Sequence, residues 1–376
     1  MAKTGKRKGI ARIPGYILRG INLLFAAGLL VSLTAQFIPP DRIWIPAFFG
    51  ISFPFWLISN LVFFILWLFR WRRFALLSLV TLLISFPLTL RFFSWPHKKT
   101  GEGIPFVTLI TYNVKTMYRV ENGKPRSTLK NIETVIKAQG ADLVCFQEFR
   151  ENWWDKGKAI KNISSATQLP YIYHAGYYGE ISQRNQSSLA TFSRFPSIHT
   201  ETLSYGNRTF ALITDLVADK DTFRLINVHL QSISFNEGDH KVLEEISEAE
   251  NLQREGLKND SRKILWKLRK GFVRRAAQAR RLQPLIESSP YPVIVCGDFN
   301  DTPASYTYRT VRGKLRDAFM EGGRGIGNTY LGNLPKIRID YILLDPAFRC
   351  LTHEVLPYRY SDHFAQKTSF YKRSYQ

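Results

Sequence analysis

Six short segments of this 376-residue chain carry polar residues that chemistry can use. They are Asn113, Gln147-Glu148, Asn227-Val228-His229, Gly297-Asp298-Phe299-Asn300, Arg338-Ile339-Asp340-Tyr341 and Ser361-Asp362-His363. Carboxylate and amide oxygens are the donors that a hard divalent cation takes, and histidines titrate near neutrality and move protons. Singly, each segment also has a plain structural reading. Gly-Asp-Phe-Asn can be a turn closed by an Asx bond. His229 can be a satisfied core histidine, Glu148 a cap for the segment after it, and Asp362-His363 a surface pair.

The elements around these residues decide between the readings. From Ile104 onward, strand and helix patterns alternate. Phe106–Asn113, Asp142–Phe146, Leu189–Ser193, Phe223–Leu230, Val293–Cys296 and Ile339–Leu344 are rich in β-branched and aromatic residues and read as strands. Ser127 opens a helix with Leu129, Ile132, Val135 and Ile136 on one face, closed by Gly140. Residues 240–283 read as a helical excursion, charged with both signs and solvated rather than part of the core. The polar segments therefore fall at strand ends, where a buried-strand protein carries its chemistry.

Taken together and in this order, the segments resemble the endonuclease/exonuclease/phosphatase (DNase I-like) family over roughly residues 106–376. The resemblance implies an α/β fold, a two-layer β-sandwich flanked by helices, and a metal-dependent hydrolase of phosphate ester bonds. It also implies roles. Asn113, Glu148 and Asp362 match metal-site residues, with Glu148 as the main carboxylate ligand. Asp298 and Asn300 match the pair that readies the attacking water and holds a phosphate oxygen. His229 and His363 match catalytic histidines, and Asp340 matches the acid that orients His363. The chemistry agrees with these assignments: phosphodiester hydrolysis must neutralise phosphoryl oxygens, align a water and protonate a poor leaving group. Mg²⁺, with Mn²⁺ as a substitute, suits the first of these tasks. The histidines suit the last, and an Asp beside a His repeats the orienting logic of catalytic triads.

Departures from the family pattern narrow the substrate. Asn227-Val228-His229 stands where repair enzymes of the family use a tyrosine motif, which argues against abasic-site repair. Lys115 replaces a frequent Asp and weakens the case for a second metal. Segments characteristic of inositol polyphosphate 5-phosphatases are not evident, and Ser188 stands where many members have Gly.

The first hundred residues are of another kind. Residues 20–90 hold only Asp41, Arg42, Arg70, Arg72 and Arg73 as charged side chains, against about a quarter in ordinary soluble chains. Uncharged runs at 21–38, 43–69 and 74–90 fit three membrane helices, each near the ~20 residues a bilayer core requires. Residues 1–93 thus read as a basic arm and an all-α transmembrane module, 94–105 as a linker and 106–376 as the catalytic domain. Were the first run a cleaved signal peptide, two spans would still anchor the rest. The bases of the N-terminal arm and the Arg70–Arg73 loop belong on the cytoplasmic side, which leaves the catalytic domain outside it.

The protein carries 52 Lys and Arg against 30 Asp and Glu, yet no aromatic and basic stripe marks a nucleic-acid groove. Its three cysteines, Cys145, Cys296 and Cys350, are too few for a disulfide scaffold and lack metal-site spacing. The expectation is a membrane-anchored, Mg²⁺-dependent phosphodiesterase acting on nucleic acid or phospholipid head groups, with no obligate protein partner. A phosphomonoesterase of the same family and an inactive scaffold are the alternatives. A transporter is excluded because the spans contain no buried acid or base.

Overall fold

The computed structural model of the protein describes residues 15–70, 72–95, 106–121, 124–150, 158–175, 188–233, 255–332 and 337–373. It opens with α1 (Gly15–Thr34), a short α2 (Ile45–Ile51), α3 (Phe53–Arg70) and α4 (Arg72–Thr89). Of these, α1, α3 and α4 are long and apolar enough to cross a membrane. The run expected as a single span over 43–69 is divided: α2 ends at Ser52, and Pro54 falls in the first turn of α3, where a missing N–H costs nothing. The first helix begins at Gly15, several residues before the uncharged run.

Side-chain hydrogen bonds join the three long helices in the bundle interior. Trp67 Nε1 donates to Asn22 Oδ1 (2.9 Å), and Asn22 Nδ2 donates to Ser78 Oγ (2.8 Å). Asn60 Nδ2 donates to the Phe25 carbonyl (2.8 Å) and its Oδ1 accepts from Thr81 Oγ1 (3.2 Å). Gly28 lets α1 approach α3: a Cβ there would lie 2.4 Å from the Trp56 ring.

The strands of the second part are β1 (Val107–Asn113), β2 (Tyr118–Glu121), β3 (Lys124–Ser127), β4 (Leu143–Phe149), β5 (Tyr171–Ala175), β6 (Ser188–Ser193) and β7 (Ser197–Tyr205). They continue as β8 (Arg208–Ala218), β9 (Asp221–His229), β10 (Val293–Asp298), β11 (Arg316–Asp317), β12 (Asp340–Leu344), β13 (Phe348–Val355) and β14 (Gln366–Lys372). The helices are α5 (Leu129–Gln139), α6 (Lys158–Thr167), α7 (Glu255–Glu287), α8 (Tyr306–Arg312) and α9 (Ala318–Gly322).

One six-stranded sheet has the order β13-β14-β1-β4-β6-β5 and the other β11-β12-β10-β9-β8-β7. They stack face to face, as the two-layer sandwich expectation requires. Val107, Leu109, Leu143 and Cys145 of the first sheet meet Leu225, Ile294, Cys296 and Ile342 of the second. The outer face of the first sheet carries Ile132, Ile136 and Ile163 of α5 and α6, and that of the second carries Ala279, Leu282, Tyr308 and Val311 of α7 and α8. Both faces of the central strands are buried, hence their nearly continuous apolar runs. All three cysteines are buried free thiols.

The long charged helix departs from expectation. It starts at Glu255, residues 240–254 lying outside the described residues, and it is not a solvated excursion. Ile264, Leu268, Phe272, Ala276, Ala279 and Leu282 recur every three or four residues and bury one face. Most of the charges among the described side chains occupy the other faces, Arg275 excepted.

The helical bundle and the sandwich are packed together. Ala304 joins Leu29, Phe53 and Leu88 in one apolar cluster, and Ile264, Leu268 and Phe272 of α7 join Ala47 of α2 in another. Ser94, expected in the linker, is buried instead and pairs through its backbone with Gly325. Residues 96–105, the remainder of that linker, lie outside the described residues.

At this junction the Arg338 guanidinium is buried. It pairs with Asp317 (2.7 Å), donates to the carbonyl of Arg91 just past α4 (2.8 Å), and stacks over Phe319 and Tyr341. Replacing one partner of such a pair strands the other charge in a dry interior, at a cost of about 3 kcal/mol or more. Arg338→Met should therefore lower the unfolding temperature of the full chain in detergent, and the Arg338→Met/Asp317→Asn double variant should recover part of the loss. Scanning calorimetry of the four proteins in the cycle measures both.

Candidate active site

Sheet topology gathers the six polar segments. β1 runs parallel to β4, and β9 runs parallel to β10, so the C-terminal ends of all four strands reach the same rim of the sandwich. In register, Asp298 stands opposite His229 on one side and opposite Asp340, at the start of antiparallel β12, on the other. The approach of β10 to β9 requires Gly297: its φ is 130°, and a Cβ would lie 2.0 Å from the Val228 carbonyl oxygen.

Asp298 is only 1% exposed and forms the middle of the cluster. Its Oδ2 accepts from Asn113 Nδ2 at 2.9 Å, and its Oδ1 accepts from the backbone N–H of Asn300 at 2.7 Å. His229 Nε2 lies 3.8 Å and His363 Nε2 3.7 Å from Asp298 Oδ2. On its far side His363 Nδ1 is 2.9 Å from Asp340 Oδ2. The backbone N–H groups of Ile339 and Asp340 both bond to Thr329 Oγ1, which fixes the start of β12.

Asn113 holds two acids at once. Besides Asp298 it donates to Glu148 Oε1 at 3.3 Å, while its own Oδ1 accepts from the Lys115 N–H at 3.1 Å. The amide thus turns its nitrogen, not its oxygen, to the carboxylates. Glu148 sits at a bulge in β4 with φ 50° and faces His229 Nε2 at 3.6 Å. Asn300 takes φ 52° and donates from Nδ2 to the Leu230 carbonyl, which ties the end of β10 to the end of β9. Asp362 is drawn to Lys115, its Oδ2 2.6 Å from Nζ, and Ser361 Oγ donates to the Asn113 carbonyl.

Three residues at this rim went unnoticed in the sequence. Arg275, fully buried on α7, donates from Nε to Asp301 Oδ2 (3.1 Å) and from Nη1 to the Gln231 carbonyl (2.9 Å), clamping the loops that follow Asn300 and His229. An arginine within an apolar helical stripe was the available signal. Thr329 and Tyr330 lie in an irregular segment with no periodicity to expose them. The Tyr330 ring meets His363 edge-on at 5.2 Å between centroids, and burial together with Asp362, Asp298 and Glu148 pushes its hydroxyl up to about 12.

Burial, and then the neighbouring Asp340 carboxylate, raise the proton affinity of Asp298, partly offset by His363 and His229. For His363 burial works the other way and disfavours the imidazolium. Asp340 and Asp298 outweigh it and push the ring up to about 10.

The family match follows this geometry. Residues 110–363 fit the family model described as the endonuclease/exonuclease/phosphatase family. This chain belongs to that family. It is accordingly a metal-dependent hydrolase of phosphate ester bonds. A second family model, described as a domain of unknown function, matches residues 15–92. No curated protein matches the chain in sequence.

Among solved structures, a functionally unknown conserved protein from Enterococcus faecalis matches at 18% identity and a TM-score of 0.48, over 71% of this chain and 100% of that one. A mannosyl-6-phosphatase from Bacteroides thetaiotaomicron matches at 15% identity and a TM-score of 0.45, over 70% and 99%. TDP2 from D. rerio, complexed with a single-strand DNA product, matches at 13% identity and a TM-score of 0.48, over 70% and 98%.

Enzymes of the endonuclease/exonuclease/phosphatase family depend on a divalent metal ion, and this rim fits one. His229 Nε2 is buried without a hydrogen-bond partner and looks onto Glu148 and Asp298. Asp298, Asp340 and His363 bring three possible ligand atoms within 4.8 Å of one another. Oxygen donors dominate, the preference of a hard cation.

In protein stripped of metal, His363 should stay doubly protonated well above pH 8, and Asp340→Asn should bring its titration down toward or below the ordinary 6.5. The sign for stability follows from the raised value: the contribution of His363 is whole below pH 6.5 and is lost as pH rises through about 10. Imidazole resonances followed by NMR across that range test both statements.

Proposed function

We propose that the protein is a membrane-anchored, Mg²⁺-dependent phosphodiesterase whose substrate is a phospholipid head-group diester. The observation that carries this reading is the seat of the loop after Asn300. Thr302 Oγ1 reaches the Gly50 carbonyl at 3.5 Å, and Ala304 packs on Leu29, Phe53 and Leu88. Four residues of chain span at most ~14 Å, so Asn300 stands within that distance of the bundle end. A bilayer around the bundle would present its head groups close by. Nucleic acid would have to approach the same restricted space.

The helix directions support an extracytoplasmic catalytic domain. α1 and α4 end beside the sandwich, so the α3–α4 turn with Arg70, Arg72 and Arg73 lies at the opposite end of the bundle. The positive-inside rule assigns that turn to the cytoplasm.

Glu148 would hold the divalent cation, Mg²⁺ or Mn²⁺ in its place. Asn113 would add its amide oxygen only by giving up the bond from the Lys115 N–H. When bound, the cation supplies Lewis-acid neutralisation of phosphoryl oxygens. The side chains do the rest. Asp298, with its proton affinity raised by burial, takes a proton from the attacking water, and Asn300, on the same turn, faces a phosphoryl oxygen. His363, held by Asp340, donates from Nε2 to a second phosphoryl oxygen, and His229 protonates the leaving group.

Hydrolysis by the full chain in mixed micelles should cease in EDTA and return with Mg²⁺ or Mn²⁺. Asp298→Asn, His229→Ala and His363→Ala should each lower turnover about 10²-fold or more, and Asp340→Asn less. Glu148→Gln should raise the Mg²⁺ concentration needed for half-activity. A panel of glycerophospholipids, sphingomyelin, phosphomonoesters, DNA and RNA tests the substrate. Preference for nucleic acid would overturn the lipid assignment while leaving the mechanism standing.

A further inference from the structure

The N-terminal half of α7 combines exposed apolar and basic side chains on a face with a defined direction. Arg280 Nη1 bonds to Asp41 Oδ1 at 2.9 Å, in the turn between α1 and α2, so that face of α7 looks toward the bundle end. At 3.6 residues per turn, Arg262 stands about five turns before Arg280 on the same face, with Leu265, Trp266 and Arg269 between them. The helix has 33 residues, ~50 Å of length, whereas three packed helices are only ~20 Å across. Its contact with α2 through Ile264, Leu268 and Phe272 holds this half beside the bundle.

Leu265 is 38% and Trp266 58% exposed, and Arg262 and Arg269 are exposed beside them. The Lys270 ammonium lies over the Trp266 ring at 4.9 Å. Each leaves a sizeable apolar surface outside the core that the sandwich and the bundle bury. Tryptophan favours the water–lipid boundary, arginine pairs with lipid phosphates, and a basic helix with an apolar stripe lies in the plane of an anionic surface.

We propose that the Arg262–Arg269 stretch of α7 lies on the bilayer, its Leu265 and Trp266 side chains entering the head-group region and Arg262 and Arg269 contacting anionic phospholipids. This inference rests on the reading of α1, α3 and α4 as membrane spans. The lipid is favoured over a nucleic-acid backbone because the stripe points to the bundle end and because its apolar members have no phosphate to meet. The contact would steady α7, and with it Arg275, against the bilayer.

The full chain in nanodiscs tests this with a nitroxide placed at three positions in turn, through Leu83→Cys on α4, Trp266→Cys, and Lys220→Cys in the turn between β8 and β9, remote from the active site. The native cysteines are buried. In discs containing phosphatidylglycerol, the ratio of collisions with oxygen to collisions with a water-soluble nickel chelate should be several-fold higher at 266 than at 220. It should fall at 266 in pure phosphatidylcholine and with Arg262→Glu/Arg269→Glu. Immersion at 83 with full water exposure at 266 would overturn the α7 contact and leave the anchor intact. Water exposure at both would overturn the anchor and the contact together. Unchanged immersion at 266 in Arg262→Glu/Arg269→Glu, accompanied by weaker binding of DNA, would assign the arginines to nucleic acid and overturn their contact with anionic phospholipids.

Discussion

A carboxylate in a dry place is the constraint around which the catalytic rim is organised. Asp298 is almost wholly removed from water, and a second buried acid, Asp340, stands opposite it in the sheet register. Two such charges side by side cost several kcal/mol unless each finds compensation. The compensation is supplied by strand ends. Asn113 donates to Asp298, the Asn300 backbone N–H caps its other oxygen, and His363 lies between the two acids. The raised proton affinity of His363 is the same fact seen from the imidazole. A site this rich in buried carboxylates suits divalent-metal and phosphate chemistry, since a cation adds to the positive charge that His363 alone supplies between the two acids.

Holding those groups together requires two sheets to keep a common register. Beneath the rim, Gln147 Nε2 donates to Asn227 Oδ1 at 2.7 Å and to Thr111 Oγ1 at 3.0 Å, while Asn227 Nδ2 reaches back to the Phe146 and Ala190 carbonyls. Both side chains are fully buried, so a slip of one sheet against the other would leave several unpaired polar groups. Above them the backbone gives way. Lys115, Thr116, Met117, Glu148 and Asn300 all take positive φ values without being glycine. Such conformations cost of order 1–3 kcal/mol each, and here they cluster where side chains must be turned out of strand geometry toward one point.

Sequence reasoning reached the parts of this arrangement that depend on local pattern. The six central strands carry apolar runs because both their faces are covered, and Gly140 closes α5 in the left-handed conformation a glycine terminus implies. Site segments were legible because strand ends interrupt those runs with polar residues. Strands at and next to the sheet edges were less so. β7 is exposed along most of its length and has only a weak burial signal, and β13 and its neighbour β14 alternate with interruptions. α7 departs from expectation for a related reason: charged residues are as numerous in it as apolar ones, and only the three-to-four spacing of the apolar residues reveals a buried face. Arg275, Thr329 and Tyr330 act through loops whose meeting is decided by tertiary contact. The attraction of Asp362 to Lys115 has the same origin, since the turn at Lys115–Met117 has no glycine to announce it.

The junction with the helical bundle gives the rim a second boundary condition. Arg338 is held by Asp317 and by the carbonyl of Arg91, and two residues later the chain reaches Asp340. Tyr341 Oη lies 2.9 Å from the carbonyls of both Arg338 and Asp301, its single proton shared between them, and Asp301 in turn accepts from Arg275. Asp301 is followed at once by Thr302, which touches α2. The loops after β10 and before β12 are therefore each bonded to the bundle on one side and adjoin Asp298 or Asp340 on the other, with few freely rotating links between. Rigid support of this kind is what the polar groups of an active site need, because a displacement near 1 Å is enough to cost about 10²-fold in rate. The bundle is thus part of the scaffold that sets the spacing of Asp298 and Asp340, and an isolated sandwich would keep its strands while losing one wall of that support.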